Sequence, residues 1–318
     1  MAGPPALPDL THKVAVVTGA SRGIGRAVAL KLAERGCKVV VAAKTDGVPA
    51  PGLEGSVHTV AEEIRRTYGT PVLGVKCDLR SEKDVEKCVQ AVVQKWGTVH
   101  ILVNNASALW WQDIVDTPTN KFDLINSINS RGAFLMTRAC LPHMLKAGWG
   151  RVITMSPPIV TNAAAFKQKT AYYMSKMGMT MVALGVASEG RKHGVTGNSL
   201  WPATIVESFA SRNFELGESR AQWRKADILA DCVLYLCGES NDFTGNMLID
   251  DEYLTERCGM TQGDLARYRF DPRVEPPRLL AMEARAGDAS AAAFHSGDVD
   301  FRRGDVRKLR EDKARSKL

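Results

Sequence analysis

The most informative segment of the chain reads Val14-Ala15-Val16-Val17-Thr18-Gly19-Ala20-Ser21-Arg22-Gly23-Ile24-Gly25. Its leading apolar residues predict a buried strand of a parallel sheet, and the apolar spacing from Arg26 to Arg35, closed by Gly36, predicts a helix. A strand, a glycine-rich turn and a helix in this order aim unpaired backbone N–H groups and the positive end of the helix dipole at one point, where an anionic pyrophosphate can bind. Glycines let the backbone approach such a ligand, although a glycine triplet alone fits an ordinary strand-to-helix turn equally well.

Composition places the chain among ordinary globular proteins. Its 318 residues are 45% hydrophobic and 24% charged, which is enough for one large α/β core. No apolar run reaches the roughly eighteen residues of a membrane span, and the start Met1–Pro8 lacks the basic and apolar regions of a secretory signal. The net charge of +7 comes without a basic run interleaved with aromatic residues, so we expect anionic small ligands rather than nucleic acid.

The seven cysteines are odd in number and scattered, and no pair has the C-x-x-C spacing. This pattern fits neither a disulfide framework nor a zinc site, and it is typical of the reduced, buried thiols of an intracellular protein. We therefore expect no bound metal.

Short apolar strands alternate with helices along most of the chain, which predicts an α/β fold with a doubly wound parallel sheet of about seven strands. The predicted strands cover 14–17, 38–43, 71–77, 101–104, 151–156, 195–201 and 246–249. The later helices are predicted at 57–68, 81–96, 120–146, 171–192 and 225–237, with an irregular flap at 203–222. Because the apolar pattern decays past Glu256, we expect an N-terminal extension at 1–10, a single domain at 11–255 and a partly disordered tail at 256–318.

Three motifs occur in order along the predicted sheet: Thr18-Gly19-x-x-x-Gly23-x-Gly25, Asn104-Asn105-Ala106 and Tyr172-x-x-x-Lys176. In this order and spacing they resemble the short-chain dehydrogenase/reductase family over roughly residues 11–255. Stretches such as Ala42-Ala43-Lys44-Thr45 and Ser156-Pro157-Pro158 resemble, more narrowly, the hydroxysteroid dehydrogenase-like branch of that family. The resemblance implies a Rossmann fold, a nicotinamide cofactor, oxidoreductase activity and a homo-oligomer paired through the two long central helices.

The choice of cofactor depends on the residue at the end of the second strand, which faces the adenosine ribose in such folds. An acid there accepts hydrogen bonds from the 2′-hydroxyl, whereas this chain has Ala43 followed by Lys44, with Arg22 in the glycine turn. Two cations and no acid favour a 2′-phosphate and hence NADP(H), although two solvated surface cations fit the same residues. By resemblance, the cofactor-binding residues are Gly19, Ser21, Arg22, Gly23, Ile24, Gly25, Lys44, Asp78, Asn105, Ala106, Lys176, Pro202, Thr204 and Ile205.

Tyr172 and Lys176 lie four residues apart on one predicted helix and therefore on the same face. An ammonium beside a phenol favours the phenolate and lowers the phenol pKa toward the working pH, as the removal of a proton from an alcohol requires. A core tyrosine with a surface lysine is the alternative for such a pair taken alone, and Tyr173 is a second phenol three residues before Lys176. The resemblance implies that Lys176 also holds the nicotinamide ribose and that Asn129 helps to fix a water that relays the proton.

One position departs from the family pattern. The resemblance implies a serine shortly after the fifth strand to hold the substrate oxygen, and the chain there reads Met155-Ser156-Pro157-Pro158. Proline stands in the usual serine place, so either Ser156 substitutes through a shifted register, or the substrate is oriented otherwise, or catalysis is impaired. The loss of such a donor costs roughly a hundredfold in rate.

Five aromatic residues fall near the predicted rim of the cleft, at the carboxyl ends of the strands. They suggest an apolar ligand, although a place in the core explains them equally well. They are Trp110, Trp111, Phe166, Trp201 and Phe209.

The given sequence closes with Ser316-Lys317-Leu318, a tripeptide that an import receptor reads as a peroxisomal address at a free chain end. Together these features predict an NADP(H)-dependent oxidoreductase that interconverts a carbonyl and an alcohol on a lipid-like substrate, steroid or fatty-acyl, in peroxisomes. Two alternatives fit the same residues. One is a catalytically weak or inactive NADP-binding scaffold or sensor, motivated by Pro157, and the other is an enoyl thioester reductase.

Overall fold

The computed structural model of the protein describes residues 5–49, 54–213, 216, 217 and 219–284. The tripeptide Ser316-Lys317-Leu318 and most of the predicted tail lie outside the described residues. Seven parallel strands form one sheet: β1 Val14–Thr18, β2 Lys38–Ala43, β3 Val72–Lys76, β4 Ile101–Asn104, β5 Gly150–Met155, β6 Val195–Trp201 and β7 Met247–Ile249.

The strand order is β3-β2-β1-β4-β5-β6-β7, and every neighbouring pair is parallel. The chain thus winds outward from β1 in one direction and then from β4 in the other. Between β1 and β4 the strand order reverses, and a crevice opens there at the carboxyl ends of the strands. The predicted doubly wound, Rossmann-type α/β fold is confirmed.

Helices cover both faces of the sheet. They are α1 Gly23–Glu34, α2 Val57–Tyr68, α3 Glu82–Trp96, α4 Thr119–Ile128, α5 Ser130–Ala147, α6 Thr170–Gly190, α7 Phe209–Asn213 and α8 Asp227–Gly238. Along β1 the side chains alternate: Val14 and Val16 join the core under α3 and α5, whereas Ala15 and Val17 join the core under α1, α2 and α8. Because both faces are buried, the strand reads as an unbroken apolar run.

Two helices differ from their predicted bounds. α1 begins at Gly23 rather than Arg26, so the glycine turn itself forms the first helical turn. The helix predicted at 120–146 is divided at Asn129, whose ψ of −82° ends α4 and begins α5. The apolar pattern runs through this break without a glycine or proline to mark it.

The folded chain also extends past the boundary predicted at 255. Residues 256–284 pack onto the domain through a few large side chains, since Leu265, Tyr268 and Leu279 are each less than a tenth exposed. The segment also carries Arg278, which forms a two-pronged ion pair with Asp251. Isolated anchors of this kind produce no apolar period, which is why the sequence pattern decays there.

No group of three or more histidine, cysteine or acidic side chains in the described part of the chain is placed to hold a metal ion. The seven cysteines are free and buried. Within the same ranges, no helix has the length and apolar character needed to cross a bilayer.

Candidate active site

A cleft of about 710 Å³ lies over the carboxyl ends of the strands. Its lining includes every predicted cofactor-binding residue except Thr204, which is buried beneath the surface. Of the four predicted catalytic residues, Tyr172 and Lys176 line the cleft, whereas Asn129 and Ser156 do not. The fold therefore brings the glycine turn and the Tyr172/Lys176 pair into one continuous cavity.

The glycine turn is shaped for close approach by a ligand. Gly19 adopts φ of +66°, and a Cβ there would lie 2.9 Å from the Cα atom of Ala106. A Cβ at Gly25 would lie 2.5 Å from the Asn105 side-chain nitrogen, so neither position accepts a larger residue without a shift. The open backbone floor at the start of α1 fits the pyrophosphate of a dinucleotide.

Thr18 holds the two sides of the crevice together. Its Oγ1 accepts hydrogen bonds from the backbone N–H of Asn105 at 3.0 Å and of Ala106 at 3.1 Å. The Asn105 side chain donates in return to the Thr18 carbonyl at 2.9 Å. The place of Thr18 in the glycine motif does not reveal this role, because its partners Asn105 and Ala106 follow a strand that is distant in sequence.

At the adenosine end of the cleft, β2 ends in the buried side chain of Ala43, with Lys44 exposed beside it. Arg22 donates to Thr45 Oγ1 at 3.0 Å and to the Glu54 carbonyl at 2.9 Å, which holds the guanidinium at this edge. The last residue of β2 carries no carboxylate, and Arg22 and Lys44 bring two cations to this edge of the cleft.

Asp78 lies after β3 in the same part of the cleft. Arg80 donates to both of its carboxylate oxygens, at 2.9 and 3.1 Å from Nε. The hydrogen bond from Arg80 is the main reason that the pKa of Asp78 is lowered, and the charge of Lys44 adds to it. Asp78 is therefore an ionised acceptor at neutral pH.

Tyr172 and Lys176 lie one turn apart on α6 and face the cleft together. The Lys176 Nζ atom lies 5.9 Å from the centre of the Tyr172 ring and donates to the Met155 carbonyl at 2.9 Å. Trp111 meets the Tyr172 ring edge-on, with 6.1 Å between ring centres. Burial lowers the pKa of Lys176 to about 7, and an anionic ligand in the cleft would raise it again.

This burial predicts a pH dependence of stability. The folded, ligand-free protein releases the Lys176 proton near pH 7, whereas the unfolded chain keeps it until near pH 10.5. The unfolded state therefore binds more protons between these values, and the free energy of unfolding should rise with pH across this window. Urea unfolding at pH 7 and 9 should show this rise in the wild type and a smaller one in Lys176→Met, and parallel curves for the two proteins would contradict the assignment.

Asn129 acts at the break between α4 and α5. Its Oδ1 accepts the Ala108 N–H at 2.7 Å, and its Nδ2 donates to the Ala108 carbonyl at 3.0 Å and to Ser175 Oγ at 2.9 Å. The side chain is fully buried and ties the loop after β4 to α6. This geometry makes Asn129 a positioning residue for the wall of the cleft and for the helix that carries Tyr172.

Ser156 does not face the cleft. Its side chain is fully buried, and its Oγ accepts a hydrogen bond from Thr180 Oγ1 at 2.8 Å. The same Thr180 hydroxyl lies 2.6 Å from the Pro157 carbonyl, so its proton is shared between the two oxygens and α6 holds this corner of the chain from behind. Met155 lines the cleft instead. The shifted register that would let Ser156 bind a substrate oxygen does not occur, because the alternation of β5 turns its side chain toward α6.

Ser156→Ala should therefore leave kcat within about threefold of the wild type, in contrast to the roughly hundredfold loss on removal of an oxyanion donor. The lost hydrogen bond to Thr180 should lower the free energy of unfolding by about 1 kcal/mol. Steady-state kinetics and urea unfolding measure the two effects. Thr180→Val removes both the bond to Ser156 and the contact with the Pro157 carbonyl, so it should lower the free energy of unfolding further while also leaving kcat nearly unchanged. A hundredfold loss of kcat in Ser156→Ala alone would instead show that the serine takes part in the reaction.

The aromatic residues near the rim divide between the cleft and its surroundings. Trp111, Trp201 and Phe209 line the cleft. Phe166 packs against Tyr173 with 5.5 Å between ring centres and belongs to the core. The cleft wall is therefore aromatic in part, which sequence analysis left open.

Lys169 and Leu280 are among the lining residues that the sequence did not predict. Lys169 is buried, and its Nζ lies 4.9 Å from the centre of the Trp111 ring. Its position three residues before Tyr172 on the same helix end was the available signal. Leu280 reaches the cleft from the segment past 255, where no pattern in the sequence pointed to it.

Comparison with known proteins agrees with this geometry. Residues 13–216 match the short chain dehydrogenase family. The chain belongs to this family. It is therefore similar to oxidoreductases that use a nicotinamide cofactor, and the glycine turn fits such a ligand.

The relatives confirm the narrower resemblance as well. Mouse hydroxysteroid dehydrogenase-like protein 2 is 41% identical over 240 residues, which cover 76% of this chain and 48% of that protein. The protein of the same name from Xenopus tropicalis is 37% identical over 298 residues, covering 93% of this chain and 70% of that one. The chain spans about half the length of the mammalian relatives it matches.

Solved structures share the fold closely. A protein from Xanthomonas campestris superposes with a TM-score of 0.79 at 39% identity, covering 85% of this chain and 98% of that one. A short chain dehydrogenase from Mycobacterium thermoresistibile gives a TM-score of 0.77 at 34% identity, with 85% and 94% covered. The fold of the chain is thus shared with these proteins over most of its length.

Proposed function

We propose that the protein is an NADP(H)-dependent oxidoreductase that interconverts a carbonyl and an alcohol on a lipid-like substrate. The observation that carries the proposal is the position of Tyr172 and Lys176 in the same cleft as the glycine turn. When bound, the nicotinamide ring supplies or accepts the hydride. The backbone of the glycine turn and of residues 202–205 and the ammonium of Lys176 would hold the dinucleotide.

In this proposal Tyr172 moves the proton. Its phenol protonates the developing alkoxide during reduction, and its phenolate accepts the alcohol proton during oxidation. Lys176 favours the phenolate by its charge and would hold the ribose of a bound cofactor, and Asn129 maintains the position of α6. Burial lowers the pKa of Lys176 to about 7, so its full charge acts on the phenol once an anionic ligand in the cleft favours the ammonium form.

NADP(H) rather than NAD(H) is proposed from the charges around β2. Ala43 offers no carboxylate to a ribose hydroxyl, while Arg22 and Lys44 offer cations to a 2′-phosphate. Arg22 is already held at this edge by its hydrogen bonds to Thr45 and Glu54, so little side-chain entropy is lost on binding.

The lining of the cleft supports a lipid-like substrate, steroid or fatty-acyl. Apolar side chains from the loop after β4, from α4, from the flap and from the C-terminal segment share the cavity with the reacting groups. They are Leu109, Trp111, Leu124, Ile128, Phe209, Leu216 and Leu280.

The test is NADPH oxidation by the full chain against ketosteroids, straight-chain ketones and 3-oxoacyl thioesters, with product analysis. Turnover to the corresponding alcohol supports the proposal. Turnover of an enoyl thioester to its saturated product, with no carbonyl reduced, would instead assign an enoyl thioester reductase. Each product is distinguished by mass and by its retention on a column.

A nucleotide-binding scaffold or sensor is the second candidate, and a specific observation favours it. The donor that the family places after the fifth strand is replaced by Pro157, and Ser156 is turned away from the cleft. Under this reading, NADPH would bind with ordinary affinity while no substrate of the panel is turned over. Isothermal titration of NADPH beside the activity panel separates the two candidates.

We also propose that two protomers associate through α5 and α6. These helices expose Phe134 at 53%, Met174 at 50% and Met181 at 60%, which is unusual for large apolar side chains on a solvated face. Sedimentation of Met181→Glu against the wild type tests the interface.

Peroxisomal import is proposed from Ser316-Lys317-Leu318 at the end of the given sequence. An import receptor binds this tripeptide as a free carboxyl-terminal peptide. Deletion of Leu318 from a fusion that carries a fluorescent protein at its N-terminus should change its distribution from punctate to diffuse cytosolic. Continued punctate import of the deletion would show that another signal dominates.

A further inference from the structure

Residues 277–281, which we call the strap, lie against the chain segment that follows β6. The backbone N–H groups of Leu280 and Ala281 both donate to the Ala203 carbonyl, at 3.0 and 3.1 Å. The N–H of Ala203 is held from the other side by Asp250 Oδ1 at 2.8 Å. The peptide groups on both sides of Ala203 are thus fixed, next to the segment proposed to meet the nicotinamide.

An ion-pair network anchors the strap. Arg278 donates to both carboxylate oxygens of Asp251, at 2.8 and 2.9 Å, and also contacts Glu252. Asp251 is buried and pairs in addition with the buried Arg224 at 3.4 Å. Because Asp250 and Asp251 are neighbours in the chain, the same corner holds Ala203 and the strap.

Two side chains of the strap are buried in the core, and the one between them faces the cleft. Leu279 packs with Ile205 and Trp223, and Ala281 packs in the core cluster of Tyr173 and Trp201. Leu280, which lies between them, lines the cleft that also contains Tyr172 and Trp201. A buried anchor on each side leaves Leu280 with a defined position in the cavity.

From this arrangement we infer that the strap is a wall of the substrate pocket and that Leu280 determines which apolar substrates fit, with Arg278 as its positioning residue. This inference rests on the proposed function, which supplies the reaction. The substrates it predicts are carbonyl compounds whose hydrocarbon part reaches from the reacting carbon to Leu280. The strap lies beyond residues 13–216, the part of the chain that matches the family model.

The experiment compares Leu280→Ala and Leu280→Trp with the wild type on a series of methyl ketones of increasing chain length. Leu280→Ala should shift the preference toward longer or bulkier members, and Leu280→Trp toward shorter ones, each by about tenfold in kcat/KM. The Kd of NADPH should stay within twofold in both variants. An unchanged chain-length preference in both variants would overturn the inference.

Arg278 is tested separately because its role is to hold the strap. Arg278→Ala should raise KM for the preferred long ketone by about tenfold with little change in kcat, and Arg278→Lys should recover part of the loss. Arg273→Ala is the matched control, since Arg273 is exposed in the same segment and pairs only with Asp271 among the described residues. Equal effects of the two alanine variants would overturn the positioning role.

A binding measurement separates this inference from the proposed function. The fluorescent fatty acid cis-parinaric acid is titrated into the NADPH-loaded wild type and into both Leu280 variants. If no ketone is reduced but Leu280→Trp weakens probe binding about tenfold, the proposed function is wrong, whereas the role of Leu280 as a wall of the pocket is supported. If ketones are reduced and neither probe binding nor chain-length preference depends on Leu280, only the role of Leu280 as a wall of the pocket is wrong. A wild type that neither reduces a ketone nor binds the probe would overturn both.

Discussion

Tyr172→Phe is expected to lower kcat for carbonyl reduction by about a thousandfold, within the range by which a positioned general acid accelerates a reaction. The substitution removes the phenolic proton and leaves the ring, which packs edge-on against Trp111 and Tyr173. The Kd of NADPH should therefore change little. Stopped-flow reduction under single-turnover conditions measures the loss at the chemical step, and titration of NADPH fluorescence measures binding.

Tyr173→Phe is the matched control. Tyr173 is the neighbouring residue on α6, lines the same cleft and is nearly fully buried. Its ring packs against Phe166 in the core, and the proposed reaction uses the phenol of Tyr172. Retained kcat in Tyr173→Phe together with the loss in Tyr172→Phe supports the assignment. The reverse pattern would identify Tyr173 as the residue that transfers the proton. Full activity in both variants would show that neither phenol takes part in the reaction.

Lys44→Asp is expected to shift the ratio of kcat/KM for NADPH over NADH toward NADH by about a hundredfold. A charge-assisted hydrogen bond contributes about 1.5–3 kcal/mol, which is roughly tenfold to a hundredfold in affinity. The substitution removes such a donor from the 2′-phosphate and adds a carboxylate that repels it and accepts from a ribose hydroxyl. Arg22→Ala should act in the same direction more weakly, because it removes a cation without adding an acid.

Lys192→Asp controls for the change in net charge. Lys192 is exposed and precedes β6, so it lies at the amino ends of the strands, opposite the cleft. Its substitution changes the total charge by the same amount and should leave the cofactor ratio unchanged. If Lys44→Asp also leaves the ratio unchanged, the cofactor argument from Arg22 and Lys44 is wrong. Repeating the assay at higher salt should reduce the difference, since exposed charges are screened.

Several elements follow directly from local sequence. β2, β4, β6 and α2 have the bounds that their apolar patterns predicted. At the start of α3, the Ser81 side chain accepts the Asp84 N–H, an N-cap bond between residues three apart in the chain. Each of these signals acts within a few residues, so a chain segment carries it wherever the segment lies in the fold.

Other features of the site depend on contacts between distant segments. Ser156 was considered as a substrate donor from its place after β5, but the direction of its side chain depends on α6 and its bond to Thr180. The break at Asn129 depends on the backbone of Ala108, which lies in the loop after β4 and forms two hydrogen bonds with the Asn129 side chain. Neither partner is near in sequence, and nothing in the local pattern distinguishes these residues from ordinary strand and helix positions.

The amino-acid order alone was sufficient for the parallel sheet, the glycine turn and the pairing of Tyr172 with Lys176, because periodicity and helical spacing are properties of the chain itself. Only the tertiary structure shows which residues form the walls of the cleft. The direction of Ser156, the anchoring of Asn129 and the arrival of Leu280 beside Ala203 all arise from contacts between distant segments. Such contacts are selected by close packing of the whole core, which no local pattern encodes.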